Sequence, residues 1–369
     1  MNTNNDIRLM EHAIRIADKN SGLVSPRPLV GAVIVKNGKI VGEGVTEPRP
    51  GNHAEVNAIN KAGVNTHGGT LYCTLEPHSF QSISPPCTEA IIKSGIKRVV
   101  CPIKDPNPLI NGNGFKQLKL AKVEVETKIN ESILSQCKKM IFAYEHFLNH
   151  KRPFITLKTA MSLDGKIATY NGDSKWITNK ISRDKVHKLR YNSDGIITGI
   201  GTILQDDPRL TSRDNNDKYC GRPRYRIILD SFGKIPVNSK IFQEPGKIII
   251  ASAIKLNNLP HEVENFVIPD ENNKVSIKQL IEELSNLGLH NLLLESGGKV
   301  NTNFLKLKLV DQLKIFVGNI IVSGQESRSV FSGEGSKLIK DSLTTEIISI
   351  EQLESNFLVT SLIKYLDPS

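Results

Sequence analysis

The hydrophobic positions divide the first part of the chain into alternating helices and strands. Two short apolar runs flank Asn37-Gly38, a dipeptide that is typical of a tight β-hairpin. Four apolar residues recur at helical spacing and predict a first helix: Ile7, Met10, Ile14 and Ala17. The same patterns predict helices over about 53–62 and 87–94, and strands over about 70–75 and 98–102. Strands that alternate with helices indicate a layered α/β domain.

The polar stretch 149–153 predicts a linker between a first domain, 1–149, and a second domain, 150–369. The second domain begins a new α/β series. Its pattern predicts a helix over 179–191 and strands over 154–160, 195–199, 225–229, 247–251, 291–294 and 312–317. A length of 369 residues agrees with two domains of roughly 100–200 residues each.

The composition is that of an ordinary soluble protein. Hydrophobic residues make up 38% of the chain and charged residues 23%. No apolar run approaches the roughly 18 residues of a membrane span, and the polar first residues lack the apolar core of a secretory signal. The five cysteines are too few for a disulfide framework. We therefore expect a reduced, cytoplasmic protein without a membrane partner.

The net charge of +10 is spread evenly along the chain. Residues 1–150 carry 18 basic and 13 acidic side chains, and residues 151–369 carry 30 and 25. A protein that binds nucleic acid usually concentrates its basic residues in one stripe. The even distribution argues against a nucleic-acid partner and is compatible with pockets for phosphorylated small molecules.

A first group of reactive side chains lies at two predicted helix starts. His53 and Glu55 open one helix, and Cys87 opens another, nine residues after His78. Three nitrogen and sulfur side chains can hold a tetrahedral zinc ion whose fourth position is open for water. The metal would lower the pKa of that water, and Glu55 would move protons. The competing interpretation is an unrelated surface histidine, capping glutamate and buried cysteine. Cys73 is predicted to be a buried strand thiol and not a ligand.

A resemblance to a known family rests on residues 25–35, 53–55, 71–77, 85–87 and 105–108, including His53-Ala54-Glu55 and Pro85-Pro86-Cys87. These segments closely resemble the deaminase half of the bifunctional riboflavin-biosynthesis deaminase–reductases. The resemblance implies a cytidine-deaminase-like, three-layer α/β domain. It also implies zinc held by His53, His78 and Cys87, with Glu55 as the proton shuttle.

The chain departs from the family pattern at the positions that line this site. His78 stands where the family has cysteine, so the metal site would be one unit more positive, hold its metal less firmly and act as a harder Lewis acid. Arg27 replaces a family asparagine, Thr46 replaces a histidine, and 79–84 lacks the family's loop motif. A pocket that loses several hydrogen-bonding partners together should lose substrate recognition steeply. The hypothesis is a retained fold with an impaired or absent deaminase.

The second half resembles the reductase domain of the same family. The resemblance rests on residues 152–176, 184–190, 199–208, 229–231 and 294–298. It implies a dihydrofolate-reductase-like α/β fold and an NADPH site formed by Ala160, Trp176, Thr202, Ser231, Gly297, Gly298, Lys299, Val300, Asn301, Thr302 and Asn303. It implies a substrate site formed by Ser174, Arg190, Asp206, Leu210, Arg213 and Glu295.

The glycine pair has a physical interpretation of its own. A strand over 292–295 runs into Gly297-Gly298, and a helix is expected to start near Asn301. Glycines let the backbone approach a pyrophosphate, and a helix N-terminus offers free N–H groups. Gly199 and Gly201 form a second such turn. The chain has no Gly-x-Gly-x-x-Gly motif, which argues against a Rossmann dehydrogenase.

The implied chemistry is hydride transfer from NADPH to C1 of the ribose of 5-amino-6-(5-phosphoribosylamino)uracil, which opens the sugar to a ribityl chain. Arg190 and Arg213 suit the 5-phosphate because guanidinium matches phosphate geometry. Asp206 and Glu295 can accept hydrogen bonds from sugar hydroxyls, and Lys158 is expected to polarise the reacting carbon or its hydroxyl. Trp176, the only tryptophan, is interpreted as a wall that faces the cofactor.

The leading hypothesis is therefore an NADPH-dependent reductase acting on phosphoribosyl pyrimidines, with an impaired or absent deaminase, in a homo-oligomer. A fully bifunctional enzyme is the second possibility. A nucleic-acid base deaminase is a third, although such enzymes usually have Cys-x-x-Cys and this possibility leaves 150–369 unexplained. A non-catalytic scaffold is the fourth.

Overall fold

The chain folds into two compact units, Met1–Lys151 (unit 1) and Arg152–Ser369 (unit 2). The computed structural model describes residues 3–81, 85–214 and 216–365. The start of the predicted linker is helical, because a helix continues to His150 and Lys151 caps it in a left-handed conformation. No described helix is both long and apolar enough to cross a membrane. The cytoplasmic location stays a prediction.

Unit 1 is built on one mixed sheet whose strand order is β2-β1-β3-β4-β5 in the described residues. Strand β1 pairs antiparallel with β2 and β3, whereas β3, β4 and β5 are parallel. The strands are β1 Gly31–Lys36, β2 Lys39–Val45, β3 Thr70–Cys73, β4 Arg98–Val100 and β5 Glu124–Glu126. The helices are α1 Thr3–Asp18, α2 Ala54–Ala62, α3 Cys87–Lys93, α4 Asn113–Leu120, α5 Glu131–Met140 and α6 Phe142–His150.

Two glycines show that helices cover both faces of this sheet. A Cβ atom on Gly31 would lie 2.0 Å from the carbonyl oxygen of Ala13 in α1, and one on Gly44 would lie 2.0 Å from that of Ala54 in α2. Gly31 pairs with Val45, the residue after Gly44, so the two glycines face opposite sides of the sheet. The unit therefore has three layers. The close packing of α2 on β2 fixes the position of the first residues of α2.

Unit 2 contains a nine-stranded sheet with the order β11-β10-β9-β8-β12-β6-β13-β16-β15 in the described residues. Neighbouring strands from β11 to β13 are parallel, and the last two pairings are antiparallel. The strands are β6 Phe154–Met161, β7 Lys166–Ala168, β8 Gly195–Gly199, β9 Tyr225–Leu229, β10 Lys247–Ser252, β11 Val263–Val267, β12 Asn291–Leu294, β13 Gln312–Val317, β14 Arg328–Ser329, β15 Thr344–Leu353 and β16 Asn356–Lys364. The helices are α7 Lys180–Asn192, α8 Ile200–Asp206, α9 Ile277–Asn286 and α10 Gly298–Lys306.

The predicted start of α10 near Asn301 was wrong, because the helix begins at Gly298 with Gly297 as its N-cap. The N–H of Asn301 already donates to the carbonyl of Gly297 in the first helical turn. The side chain of Asn301 is fully buried, where it accepts from Ser296 and donates to the carbonyl of Val330. Glycine has a low helix propensity, so the pattern of the sequence placed the start too late.

Candidate functional site

The first candidate site in unit 1 joins three side chains from separate elements. His53 is the N-cap of α2, Cys87 is the first residue of α3, and His78 lies in the loop after β3. The sulfur of Cys87 lies 3.0 Å from Nδ1 of His78 and 3.5 Å from Nδ1 of His53. All three possible ligand atoms lie within 4.8 Å of one another.

This donor set fits a zinc ion. With zinc–nitrogen and zinc–sulfur bonds of about 2.0 and 2.3 Å, neighbouring ligands of a tetrahedral site are about 3.5 Å apart. Burial and the neighbouring His78 lower the pKa of His53 to about 4, so its imidazole is neutral near pH 7, as a ligand must be. Cys73 is fully buried and does not belong to this group.

Glu55 lies beside the group in the first turn of α2. It is buried, and burial raises its pKa to about 7. Burial also raises the pKa of Cys87, and the charge of Glu55 adds to that shift. A carboxyl with a pKa near 7 can both take up and release a proton near neutral pH.

Arg27 and Thr46, two of the departures from the family pattern, are both buried. The Nη1 atom of Arg27 donates to the carbonyl oxygens of Glu47 and Gly51, at 3.1 and 2.6 Å. Its charge acts on both His53 and Cys87. Ser82, Ile83 and Ser84 of the divergent loop lie outside the described residues. Phe80, within the same loop, packs edge-on against the ring of His78.

The candidate site in unit 2 is centred on a buried carboxylate with two cationic partners. Glu295 follows β12, which pairs in parallel with β6 so that Leu294 is opposite Leu157. Lys158 is therefore next to Glu295, and its Nζ lies 3.2 Å from Oε2 of Glu295. From α7, Arg190 donates to both carboxylate oxygens, at 2.7 and 3.0 Å. Three of the predicted residues thus meet at the carboxyl end of the central strands.

Electrostatics keep this carboxylate charged. Burial alone would raise the pKa of Glu295, but the positive charges of Arg190 and Lys158 outweigh it and lower the pKa to about 2. A buried charge is strongly destabilising when its partner is removed. Glu295, Arg190 and Lys158 therefore form one ionic group.

The glycine-rich segments lie beside this group and leave room for a ligand. A Cβ atom on Gly297 would meet no heavy atom within 4 Å, so the N-terminus of α10 is open to a close approach. A Cβ atom on Gly199 would lie 2.8 Å from Cγ2 of Val300, so the end of β8 contacts α10. Free N–H groups at an open helix N-terminus fit the pyrophosphate of a dinucleotide.

The remaining predicted cofactor residues occupy several elements. Ala160 lies on β6, two residues after Lys158 and on the same face, and Thr202 lies on α8. Ser231 follows β9, and its hydroxyl accepts from the N–H of Val275. Trp176 is 68% exposed, with the guanidinium of Arg183 at 4.4 Å from its ring centre, so it is not a core residue.

The remaining predicted substrate residues form two further contacts. The hydroxyl of Ser174 donates to Oδ1 of Asp206 at 2.9 Å. Leu210 is buried in a left-handed conformation. Arg190 and Arg213, which were predicted to share one phosphate, each bind a different carboxylate, since Glu244 contacts Arg213 closely. Their phosphate roles stay predictions.

The sequence patterns did not identify the residues that surround Arg213. Glu244 binds its side chain, and His187 accepts from its backbone N–H at 3.1 Å. Arg226 donates to the carbonyl of Glu244. The one signal available in the sequence was an arginine within the apolar strand 225–229, and the structure shows that this arginine is fully buried.

Comparisons with known proteins agree with this geometry. Residues 3–103 match the cytidine and deoxycytidylate deaminase zinc-binding region, and residues 153–359 match the RibD C-terminal domain. The riboflavin biosynthesis protein RibD of Aquifex aeolicus (strain VF5) is 37% identical over 359 residues, which cover 96% of this chain and 97% of the relative. The corresponding protein of Bacillus amyloliquefaciens is 35% identical over 360 residues, which cover 96% and 95%. The chain belongs to the RibD family.

Solved structures of RibD proteins have the same fold. A diaminohydroxyphosphoribosylaminopyrimidine deaminase/5-amino-6-(5-phosphoribosylamino)uracil reductase from Thermotoga maritima is 34% identical, with a TM-score of 0.86 over 99% of this chain and 100% of that one. Acinetobacter baumannii RibD (form 1) is 31% identical, with a TM-score of 0.86 over 98% and 100%. The predicted fold class, a cytidine-deaminase-like α/β domain followed by a dihydrofolate-reductase-like one, is confirmed. As a RibD protein, the chain belongs to riboflavin biosynthesis and carries a reductase and a deaminase domain.

Proposed function

We propose that unit 2 catalyses the NADPH-dependent reduction of 5-amino-6-(5-phosphoribosylamino)uracil to its ribitylamino form. The observation that supports this most directly is the buried ionic group of Lys158, Glu295 and Arg190, beside the open N-terminus of α10. The residues that the resemblance implies for this site all lie within 153–359, the part of the chain that matches the RibD C-terminal domain.

NADPH would be held by the backbone at Gly297 and Gly298 and would supply the hydride that reduces C1 of the ribose. The protein binds and orients the sugar. The Nζ atom of Lys158 donates to the sugar oxygen at the reacting carbon and holds the proton that this oxygen takes up when the ring opens. Glu295 fixes Lys158 by the ion pair and accepts from a sugar hydroxyl. Arg190 in turn fixes Glu295.

The outer part of the substrate has its own partners. Asp206, held by Ser174, accepts from a second sugar hydroxyl. The 5-phosphate binds to Arg213, whose guanidinium has donors beyond those that Glu244 and the carbonyl of Asp217 engage.

We further propose that unit 1 retains the metal site but is an impaired deaminase. Zinc held by His53, His78 and Cys87 would lower the pKa of water, and Glu55, whose pKa burial raises to about 7, would move protons. The buried cation Arg27, where the family has asparagine, adds positive charge to this pocket and engages the 47–51 segment. The pocket thus lacks a neutral amide and a histidine that would recognise the pyrimidine.

A two-substrate assay tests both proposals. The diaminopyrimidine precursor and the aminouracil are offered separately with NADPH, while ammonia release and NADPH oxidation are followed. We expect NADPH oxidation with the aminouracil, and little ammonia from the precursor. Loss of NADPH oxidation in Lys158→Met supports the reductase site, and Lys306→Met, an exposed lysine in the last turn of α10 outside the predicted site, serves as the comparison.

The alternatives give different results in the same assay. Rapid ammonia release from the precursor would establish a fully bifunctional enzyme and contradict the impaired-deaminase proposal. No oxidation of NADPH with the aminouracil would contradict the reductase proposal.

We also propose that the protein is a homo-oligomer that forms through β15. This strand lies at the end of the large sheet, and no described strand pairs with its outer edge. Ile347, Ile348 and Ile350 on it are 59%, 48% and 62% exposed. An exposed apolar edge strand pairs readily with a second copy of itself about a two-fold axis.

A further inference from the structure

The side chain of Arg213 is held by a residue to which no function has been assigned. Arg213 is only 11% exposed, and its Nη2 makes a close contact with the carboxylate of Glu244, which is 14% exposed. Its Nη1 donates to the carbonyl of Asp217. Glu244 also lies 3.3 Å from Nε of Arg209, which is more exposed. The exposed carboxylate of Asp217 is a second partner of both arginines, at 3.7 Å from Nε of Arg213 and 3.4 Å from Nη1 of Arg209. Glu244 is the buried carboxylate of this group.

Glu244 lies in a segment whose path is fixed by a third arginine. Arg226, fully buried on β9, points at the backbone of residues 241–246. Its two terminal nitrogens donate to the carbonyl oxygens of Ile241, Glu244, Pro245 and Gly246, at 2.6, 2.8, 3.1 and 3.2 Å. These hydrogen bonds fix the position of the backbone at Glu244, and therefore the point from which its carboxylate reaches Arg213.

The backbone of Arg213 is fixed from the other side by α7. Its N–H donates to Nδ1 of His187 at 3.1 Å, and the hydroxyl of Ser212 donates to the carbonyl of His187 at 2.9 Å. One turn later on the same helix, Arg190 donates to the carbonyl of Thr211 and binds Glu295. Arg213 is therefore fixed relative to the helix that holds the proposed reacting group.

We propose that Glu244 is a positioning residue that fixes Arg213 to receive the phosphate of the substrate. The inference rests on the proposed function, in which Arg213 binds that phosphate. A guanidinium that is almost buried requires a counter-charge before the ligand arrives, and Glu244 supplies the buried one, whereas Asp217 is exposed and farther away. The carboxylate contacts one terminal nitrogen and leaves other N–H groups of the five available for an anion. It fixes the orientation of the guanidinium without replacing the phosphate.

The test compares ligands with and without the phosphate in the full-length protein. Ribose 5-phosphate and ribose are titrated by calorimetry into the wild type, Glu244→Gln, Glu244→Asp, Arg213→Met and the Glu244→Gln/Arg213→Met double variant. KM and kcat for the aminouracil are measured on the same samples. Glu89→Gln, which removes an exposed ion-pair glutamate of unit 1, is the matched control. Circular dichroism and thermal unfolding check that each variant is folded.

We expect Glu244→Gln to weaken ribose 5-phosphate binding and to raise KM roughly three- to tenfold, with kcat within about twofold and ribose binding unchanged. Glu244→Asp, which keeps the charge, should recover part of the loss. In the Arg213→Met background, Glu244→Gln should add nothing, because the group that it positions is absent.

Other outcomes separate the two proposals. If Arg213→Met leaves ribose 5-phosphate binding and KM unchanged, the phosphate role of Arg213 fails. If Arg213→Met weakens them but Glu244→Gln does not, only the positioning role fails. Tighter ribose 5-phosphate binding in Glu244→Gln would show that Glu244 competes with the phosphate, and equal loss with ribose would show a structural role. Both results overturn the inference.

Discussion

Three arginines around the proposed substrate site differ in the groups that balance their charges. Arg190 has a bidentate carboxylate, Arg213 has the carboxylates of Glu244 and Asp217 and a carbonyl, and Arg226 donates to backbone carbonyls. Burial lowers the pKa of Arg226, whereas the charge of Glu295 outweighs burial and raises that of Arg190. The carboxylates of Glu295 and Glu244 lie at the proposed substrate site, whereas the carbonyl groups that Arg226 binds belong to the 241–246 segment.

The ionic group around Glu295 predicts a pH dependence of stability. Its pKa falls from 4.5 to about 2 on folding, so its contribution is present above about pH 4.5 and is lost as the pH falls towards 2. A shift of this size corresponds to ~3 kcal/mol. The difference in unfolding free energy between the wild type and Glu295→Gln should therefore shrink as the pH is lowered from about 6 to 3. Urea unfolding followed by circular dichroism measures this difference.

A surface carboxylate gives the control for this pH series. Asp184 forms an exposed ion pair with Lys180 on α7, and Asp184→Asn should differ little from the wild type in unfolding free energy. A constant difference for Glu295→Gln over the same pH range would contradict the prediction.

The substitution of cysteine by His78 predicts a change in metal retention. His78→Cys would restore a second thiolate and remove one unit of positive charge from the site, so zinc should be held more firmly. Cys87→Ser should lose the metal, and Cys220→Ser, a thiol of unit 2, should behave as the wild type. Zinc per chain after dialysis against a weak chelator measures the effect. Equal retention by the wild type and His78→Cys would contradict the charge argument.

At the scale of elements, parallel strands determine which residues meet. Lys158 and Glu295 are far apart in the chain but adjacent in space, because Leu157 on β6 pairs with Leu294 on β12. The apolar runs of these strands were predictable from the sequence alone. Their order in the sheet was not, because periodicity carries no information on which strands are neighbours.

The open N-terminus of α10 predicts a variant that affects the cofactor alone. Gly297 has φ −79° and free space around its Cβ position, so alanine fits without strain. Gly297→Ala should leave thermal stability within about 1 kcal/mol and raise KM for NADPH roughly tenfold, because the new methyl group blocks the approach of the pyrophosphate. Gly335→Ala, also in open space, is the control. An unchanged KM for NADPH would place the cofactor elsewhere.

For the whole molecule, sequence patterns predicted the two α/β series and the family resemblance supplied the candidate site residues, but neither identified the partners of Arg213. Strands 154–160 and 312–317 could be predicted because their apolar residues form a local pattern within each strand. Glu244 and His187 act through tertiary contacts 31 and 26 residues away in the chain, and no local period marks them. The exposure of the isoleucines on β15 could not be predicted from the sequence either, because it depends on the position of this strand at the edge of the folded sheet.

The edge strand β15 predicts how copies of the chain associate. If two copies pair β15 antiparallel about a two-fold axis, each exposed isoleucine meets apolar side chains of the partner, and a lysine there would leave a charge at the interface. Ile350→Lys should therefore shift the protein towards a single-chain mass in light scattering, with its thermal unfolding as a monomer still cooperative. Val64→Lys, at a 90% exposed position in unit 1, should keep the wild-type mass. If Ile350→Lys leaves the mass of a wild-type oligomer unchanged, the copies must associate through another surface, and a wild type with the mass of one chain would exclude association itself.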